Sequence, residues 1–74
     1  MAQNTRLRDL MLELVRETAD RGIYWAEAAA QFEKQFIQYT LAKNGRSVQR
    51  SAKAMGIHRN TLARKILLYK IGLK

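Results

Sequence analysis

Apolar residues recur every three or four positions along most of the chain, and this spacing predicts helices rather than strands. A first helix is expected from about Thr5, as its N-cap, to Asp20, with Gly22 ending it in a left-handed backbone conformation. The apolar stripe of this helix consists of Leu7, Leu10, Met11, Leu14, Val15 and Thr18. Leu12 lies off the stripe and widens the apolar surface beyond one packing contact, which predicts that a partner subunit covers the excess.

A second, longer helix is expected from about Tyr24 to Lys43, and Asn44 followed by Gly45 is a typical stop signal. Its apolar residues cover much of the circumference of the helix, which usually indicates a helix in the middle of its structure. They are Trp25, Ala29, Phe32, Phe36, Tyr39 and Thr40 on one flank, with Ile37 and Leu41 beside them. We interpret this helix as the core of a dimer.

The last third of the chain is expected to hold two short helices joined by a tight turn. One spans about Val48 to Met55, with Ser47 placed as its N-cap, and the other spans about Arg59 to Tyr69. Between them Gly56 supplies a left-handed backbone conformation, and Ile57 places an apolar side chain beneath the corner. The inward-facing residues are expected to be Val48, Ser51, Ala52 and Met55 on the first helix and Leu62, Ile66 and Tyr69 on the second.

A helix of about eight residues, a three-residue turn opening on glycine, and a helix with basic residues at its start are typical of a helix-turn-helix. The second helix of that motif enters the major groove of DNA. Its outward face is expected to carry Arg59, Asn60, Ala63, Arg64 and Lys65. Arg59 can bind guanine O6 and N7 with two hydrogen bonds, and Asn60 or Thr61 can reach a base edge or a phosphate.

Phosphate contacts are expected where the two short helices begin, because first-turn amides and the positive end of the helix dipole favour an anion. The candidates are Ser47, Gln49 and Arg50 on one helix and His58 on the other. His58 is the single histidine of a chain without cysteine, so it suits a hydrogen bond to a backbone group or phosphate far better than catalysis or metal binding. We therefore expect no metal and no cofactor.

The chain has 74 residues and no linker-like stretch, so residues 1–74 are expected to form one domain with a small hydrophobic core. Without cysteine, oligomerisation remains the usual means of stabilising so short a chain. Residues from about 5 to 45 are predicted to form the dimerisation helices and about 46 to 74 the DNA-binding unit. No apolar run is long enough for a signal peptide or a membrane span, which predicts a cytoplasmic protein, associated with the nucleoid rather than a membrane.

The formal net charge of +8 is distributed unevenly along the sequence. Residues 1–45 carry six basic and six acidic side chains, whereas residues 46–74 carry eight basic side chains and no acidic one. The eight are Arg46, Arg50, Lys53, Arg59, Arg64, Lys65, Lys70 and Lys74. A segregated positive field suits a polyanion, since each phosphate that is neutralised releases counterions. The charge pattern therefore predicts a nucleic-acid partner.

These residues resemble the Fis-type helix-turn-helix family, the family of the nucleoid protein Fis and of the C-terminal domains of NtrC-like enhancer-binding activators. The resemblance rests on Ser51-Ala52, Met55-Gly56-Ile57, Arg59-Asn60-Thr61-Leu62, Arg64-Lys65-Ile66, Tyr69 and Ile71. It extends more weakly upstream through the segment 32–37 and the turn at Asn44-Gly45, and so covers about residues 28–73. The first helix matches only in length and character.

The resemblance implies an all-α fold of four helices, the first two interlocking in a homodimer and the last two reading double-stranded DNA, often with bending. Carried over by position, Arg59 becomes the base-reading residue. The implied phosphate contacts are Ser47, Gln49, Arg50, His58, Thr61, Arg64 and Lys65. The residues expected at the dimer interface are Leu7, Leu10, Met11, Leu14, Val15, Trp25, Phe32 and Phe36, and those expected to contact bases are Arg59 and Asn60.

Three features of the sequence depart from the family pattern. One extra residue precedes the third helix, so that Arg46 stands where a glycine is usual. Ala63 replaces a basic residue that contacts a base in the nucleoid protein, which predicts a different preferred site. Leu67 and Leu68 replace charged residues, and we interpret them as packing against the second helix, with a surface for a partner protein as the alternative.

Other classes of function fit the sequence less well. Asp9, Glu13, Glu17 and Asp20 lie on one flank of the first helix beside arginines, which indicates a solvated face rather than the acid/base pair of an enzyme. RNA binding is not favoured, because the tail has no outward-facing aromatic residue on which unpaired bases could stack. Binding to a membrane surface is not favoured either, because the basic residues belong to short helices interrupted by Gly56. A dimerisation adaptor leaves the acid-free tail unexplained. The prediction is a dimeric, sequence-selective transcriptional regulator, with a low-specificity architectural DNA-bending protein as the alternative.

The extent of the natural protein stays open at this level. Met1 suggests a complete protein, although an excised C-terminal domain with an added start codon would look the same. The sequence also leaves open whether the natural protein has a sensor domain or a partner protein, and whether it activates or represses transcription.

Overall fold

The computed structural model describes the backbone of residues 2–73 and the side chains of residues 5–73, and this part of the chain contains four helices and no strand. The helices are α1 Ala2–Asp20, α2 Trp25–Lys43, α3 Val48–Met55 and α4 Arg59–Leu68. The predicted all-α class is confirmed, and the predicted limits of α2, α3 and α4 are met to within one residue. Met1 and Lys74, at the ends of the predicted domain, lie outside the described residues.

The predicted start of α1 is wrong and its predicted end is right. The helix begins at Ala2, so Thr5 lies inside it and is not its N-cap. Alanine and glutamine upstream of Thr5 favour a helix, and neither glycine nor proline interrupts it. At the other end Gly22 adopts φ 73, and the N–H groups of Gly22 and Ile23 donate to carbonyls of the last turn at 3.0 and 3.2 Å. This left-handed cap turns the chain into α2.

The core of the single chain lies between α2, α3 and α4, where α3 packs against both other helices. Its buried apolar residues are Ile37, Leu41, Ala52, Leu62, Ile66 and Ile71, with Val48, Met55, Ile57 and Tyr69 packed against them. The predicted inward faces of α3 and α4 are therefore confirmed. Small residues at the crossing, Ser51 and Ala52, let α3 lie close to its neighbours.

The segment after α4 turns back onto this core. Lys70 adopts a left-handed conformation with φ 55, and the N–H of Ile71 donates to the carbonyl of Ile66 at 3.0 Å. Ile71 is thereby carried into the core, where 7% of its surface is exposed. The hydrogen-bond pattern is that of a helix-terminating motif in which a lysine takes the position that glycine usually fills.

The first half of the chain contributes no buried side chain among residues 5–36. Every residue predicted for the dimer interface is exposed in the single chain, including Leu14 at 50% and Phe36 at 49%. An open groove lies beside α2, lined by Phe32, Gln35, Phe36, Tyr39, Thr40, Lys43, Asn44 and Ala54. Two large apolar surfaces, one on α1 and one on α2, are thus uncovered.

The connection between α2 and α3 places a non-glycine residue in the left-handed region. Gly45 and Arg46 follow one another at φ 63 and φ 66, and Arg46 Nη1 donates to the carbonyl of Gly72 at 3.4 Å. A side chain in this region costs roughly 1–2 kcal/mol, whereas the hydrogen bond is long and exposed to solvent.

We expect Arg46→Gly to raise the free energy of unfolding by about 0.5–1 kcal/mol, the relief of strain being partly offset by the greater freedom of glycine in the unfolded chain. Thermal unfolding at one fixed protein concentration measures the change, which should be a few degrees. Arg46→Ala is the control, because it removes the guanidinium but keeps the strained Cβ. A melting temperature raised equally by both substitutions would contradict the strain at this position.

Candidate nucleic-acid interface

The corner between α3 and α4 depends on Gly56. This residue adopts φ 70, and its N–H donates to the carbonyl of Lys53 at 3.2 Å. The N–H of Ile57 donates to the carbonyl of Ala52 at 3.0 Å, which directs the Ile57 side chain against the core. Because a Cβ is disfavoured at positive φ, glycine is the residue best suited to turn the chain this sharply. The predicted helix, turn and helix are confirmed.

Each helix of the motif begins with a side-chain cap. Ser47 Oγ accepts a hydrogen bond from the N–H of Arg50 at 3.2 Å, and His58 Nδ1 accepts one from the N–H of Asn60 at 3.0 Å. The predicted cap at Ser47 is thus confirmed, and so is the predicted hydrogen bond between His58 and a backbone group. Because Nδ1 of His58 is an acceptor, the neutral imidazole carries its proton on Nε2, which leaves that N–H as a donor at the start of α4.

The predicted base contacts lie in the first turn of α4. Arg59 and Asn60 are both exposed to solvent, directly after the His58 cap. Their side chains are therefore available at the helix end that, in a helix-turn-helix, meets base edges. Ala63, one turn further along, is exposed as well and presents only a methyl group at this position.

The predicted phosphate contacts differ in exposure. Gln49, Arg50, His58 and Arg64 are exposed, whereas Ser47, Thr61 and Lys65 are partly buried. Ser47, Gln49 and Arg50 lie at the start of α3, as expected. Ser47 is the N-cap, and Gln49 and Arg50 are in the first turn. Their role at phosphates stays a prediction.

Lys65 does not face outward as expected. Its Nζ lies 2.5 Å from Oε1 of Glu33 on α2, and Tyr69 donates a hydrogen bond from its hydroxyl to Oε2 of the same carboxylate. The hydrogen bonds that the Glu33 carboxylate accepts, from Lys65 first and from Tyr69 second, lower the pKa of Glu33. The hydrogen bond that the Tyr69 hydroxyl donates to Glu33 raises the pKa of Tyr69. The ion pair holds the ammonium toward α2, which is why the side chain leaves the outward face.

Glu33 is the contact that reasoning from the sequence missed. It is the last carboxylate before a tail with eight basic residues, and this position was a usable signal for a cation partner. The spacing of Lys65 and Tyr69, four residues apart and so on one face of a helix, pointed the same way.

Cations dominate the surface of the motif. Arg46, Arg50, Lys53, Arg59, Arg64 and Lys70 are all exposed, and no acidic residue occurs after Glu33 in the sequence. The carboxylates of α1 lie in solvent instead, as in the exposed pair of Glu17 with Arg21 at 2.7 Å. The positive field that the sequence predicts is thus presented to solvent by the described part of the motif.

Leu67 and Leu68 near the end of α4 are 77% and 71% exposed, so the expected packing against α2 is not found in the single chain. Both side chains lie in solvent, one turn beyond Ala63 and Arg64. The alternative prediction, a surface for a partner protein, stays a prediction.

No helix between residues 2 and 73 combines the length and the apolar character needed to span a membrane.

Comparison with known proteins agrees with the geometry of the motif. The sequence model of the family described as "Bacterial regulatory protein, Fis family" matches residues 28–69, which include nearly all of α2 and the whole of α3 and α4. No curated protein and no solved structure matches the chain significantly. The match spans more than half of the chain and contains the capped helix-turn-helix with its exposed cations. The chain belongs to the bacterial regulatory proteins of the Fis family, and residues 48–68 are its DNA-binding helix-turn-helix.

Proposed function

We propose that the protein is a homodimeric, sequence-selective regulator that binds double-stranded DNA with α4 in the major groove. The observation that carries the proposal is the first turn of α4, where Arg59 and Asn60 are exposed on a capped helix surrounded by cations. A pair of helices that carries exposed cations and no carboxylate of its own attracts the phosphate backbone, and the helix start supplies groups that can distinguish bases. A cytoplasmic, nucleoid-associated location follows from such a partner.

Sequence selection is assigned to Arg59, with Asn60 beside it. The guanidinium presents two parallel N–H donors that match O6 and N7 of guanine, a pairing that the other bases do not offer. Asn60 carries both a donor and an acceptor and can pair with adenine at N6 and N7. Ala63 has only a methyl group, so the next base step along α4 is read by apolar contact or by none.

Phosphate binding is assigned to the starts of α3 and α4. Ser47, Gln49 and Arg50 lie at the positive end of α3, and His58 offers its Nε2 proton at the start of α4. Thr61 and Arg64 complete the set on α4. These groups fix the orientation of the protein on the duplex and carry no sequence information themselves.

Dimerisation is supported by the two uncovered apolar surfaces. In the single chain, Leu10, Met11 and Leu14 of α1 and Phe32 and Phe36 of α2 remain between 44% and 50% exposed. Contiguous apolar surface of this kind marks an interaction site, and a chain with so few buried residues gains most from a second copy. In the proposed dimer, α1 of one subunit lies in the groove beside α2 of the other.

The test is a salt titration of binding to a pool of random duplex DNA, with selection and sequencing of the retained duplexes, alongside the mass of the protein in solution. We expect a dimer mass, affinity that falls steeply with salt, and enrichment of an inverted repeat. Salt-sensitive binding without enrichment would overturn sequence selectivity and favour an architectural DNA-bending protein. No binding to duplex DNA would overturn the proposal.

A further inference from the structure

The carboxylate of Glu33 joins α2 directly to α4. One of its oxygens pairs with Lys65 Nζ at 2.5 Å, and the other accepts a hydrogen bond from the Tyr69 hydroxyl. Lys65 lies in α4 and Tyr69 is its C-cap residue, four positions later, so the two side chains lie one above the other on the same side of the helix end. A single side chain of α2 therefore holds α4 at two points separated by one helical turn.

Such a contact restricts the orientation of α4 in a way that apolar packing does not. Burial of apolar surface is non-directional, whereas hydrogen bonds weaken steeply as their angles depart from linear. The side chains of Lys65 and Glu33 are 33% and 34% exposed, so their attraction is less screened by salt than that of a fully solvated pair. The two bonds together limit both the rotation of α4 about its axis and its tilt against α2.

The segment of α2 that carries Glu33 also carries the proposed dimer surface. Phe32 precedes Glu33 and Phe36 follows it by three residues, and both rings are about half exposed in the single chain. Their centroids lie 6.0 Å apart. If the dimer forms through this surface, as proposed above, Glu33 is the polar link between the subunit interface and the helix that reads the bases.

We infer that Glu33 is a positioning residue that sets the distance and angle between the two α4 helices of the dimer, and hence the spacing of the DNA half-sites that the protein accepts. A two-fold dimer binds half-sites whose separation matches the separation of its recognition helices. A carboxylate beside a cationic, DNA-facing helix weakens attraction to phosphate, so its contribution lies in geometry rather than affinity. In this arrangement Lys65 acts on α2 and not on the DNA backbone.

The experiment measures binding of the full chain to duplexes that carry two copies of the selected half-site, with their separation varied one base pair at a time. We expect the parent protein to prefer one separation and Glu33→Gln to lose roughly tenfold of that preference, equivalent to about 1.4 kcal/mol. Affinity for random duplex should stay equal or rise, because one negative charge is removed. Tyr69→Phe, which removes one of the two bonds and keeps the ring in the core, should lose part of the preference.

Glu27→Gln is the matched control, because it removes the same charge from an exposed position on the same helix. We expect it to keep the spacing preference of the parent. A purely structural role for Glu33 would lower the melting temperature of the variants and leave their preferred spacing unchanged. An unchanged preference in both Glu33→Gln and Tyr69→Phe would overturn the inference.

Failure of the proposed function is read on the parent protein, before any variant is compared. A monomer mass, or binding without an enriched inverted repeat, overturns the dimeric regulator and with it the inference that rests upon it. A dimeric parent with a clear preferred spacing that neither variant changes overturns the positioning role of Glu33 alone.

Discussion

We expect Leu14→Asp and Phe36→Asp each to abolish the dimer together with most of the folded structure. Leu14 lies in the middle of the apolar stripe of α1, and Phe36 lines the groove beside α2. In the proposed dimer both side chains are buried by the other subunit, and an unpaired carboxylate buried there costs several kcal/mol. A loss of that size dissociates the subunits at micromolar concentrations.

A variant that cannot dimerise is also expected to unfold, because the single chain has little core of its own. Among residues 5–73 the buried side chains all come from residue 37 onward, and a unit of that size without a disulfide is marginal. An exposed α1 of 19 residues is also marginal as an isolated helix in water. Far-ultraviolet circular dichroism and sedimentation of the same samples therefore report one coupled transition.

Leu67→Asp is the matched control for this pair. It introduces the same carboxylate at a leucine that is 77% exposed and lies outside the proposed interface. We expect it to retain the dimer mass and the helix content of the parent. Folded monomers from both Leu14→Asp and Phe36→Asp would contradict the interlocked dimer.

Periodicity and capping residues predicted the helices well because the signals that end helices here are local. Ser47 and His58 accept hydrogen bonds from N–H groups two or three residues away, and Gly22 and Gly56 adopt the positive φ that their positions require. Each of these features depends on a few neighbouring residues only. The start of α1 was predicted less well, because Thr5 is a residue type that often caps a helix and here lies inside one.

Contacts between distant parts of the chain were harder to predict. The pair of Lys65 with Glu33 and the burial of Ile71 depend on how α4 crosses α2, which periodicity within one helix does not determine. The prediction of Lys65 as an outward residue failed for that reason. The turn that buries Ile71 was not predicted, because Lys70 takes the left-handed position at which glycine is the usual signal in a sequence.

The exposure of apolar side chains in the single chain shows which predictions from apolar spacing depend on a partner. Apolar spacing marked Leu14 and Phe36 as residues to be covered, and the structure leaves both half exposed within one chain. The periodicity marked an apolar face that the single chain leaves exposed, and its burial by a partner subunit stays a prediction. For Leu67 and Leu68 the same reasoning predicted packing against α2 that the single chain does not show.

We expect Arg59→Ala to lose about 1–3 kcal/mol of discrimination at one base pair in each half-site, or roughly 5- to 140-fold in relative affinity. Arg59 is exposed in the first turn of α4, where the side chain has no competing partner in the described residues. Its loss removes two hydrogen bonds to one guanine and one positive charge. Affinity for random duplex should therefore fall much less than affinity for the selected site.

Two further substitutions separate base reading from charge. Arg59→Lys keeps the charge but not the planar pair of donors, so discrimination should fall while binding to random duplex is retained. Arg50→Ala removes a cation assigned to phosphate and should weaken selected and random duplexes alike, lowering the slope of affinity against salt by about one. Competition between the selected site and its single-base variants at fixed salt measures the first effect, and a salt titration measures the second. If Arg59→Ala binds selected and random duplexes as the parent does, α4 does not read the bases through Arg59.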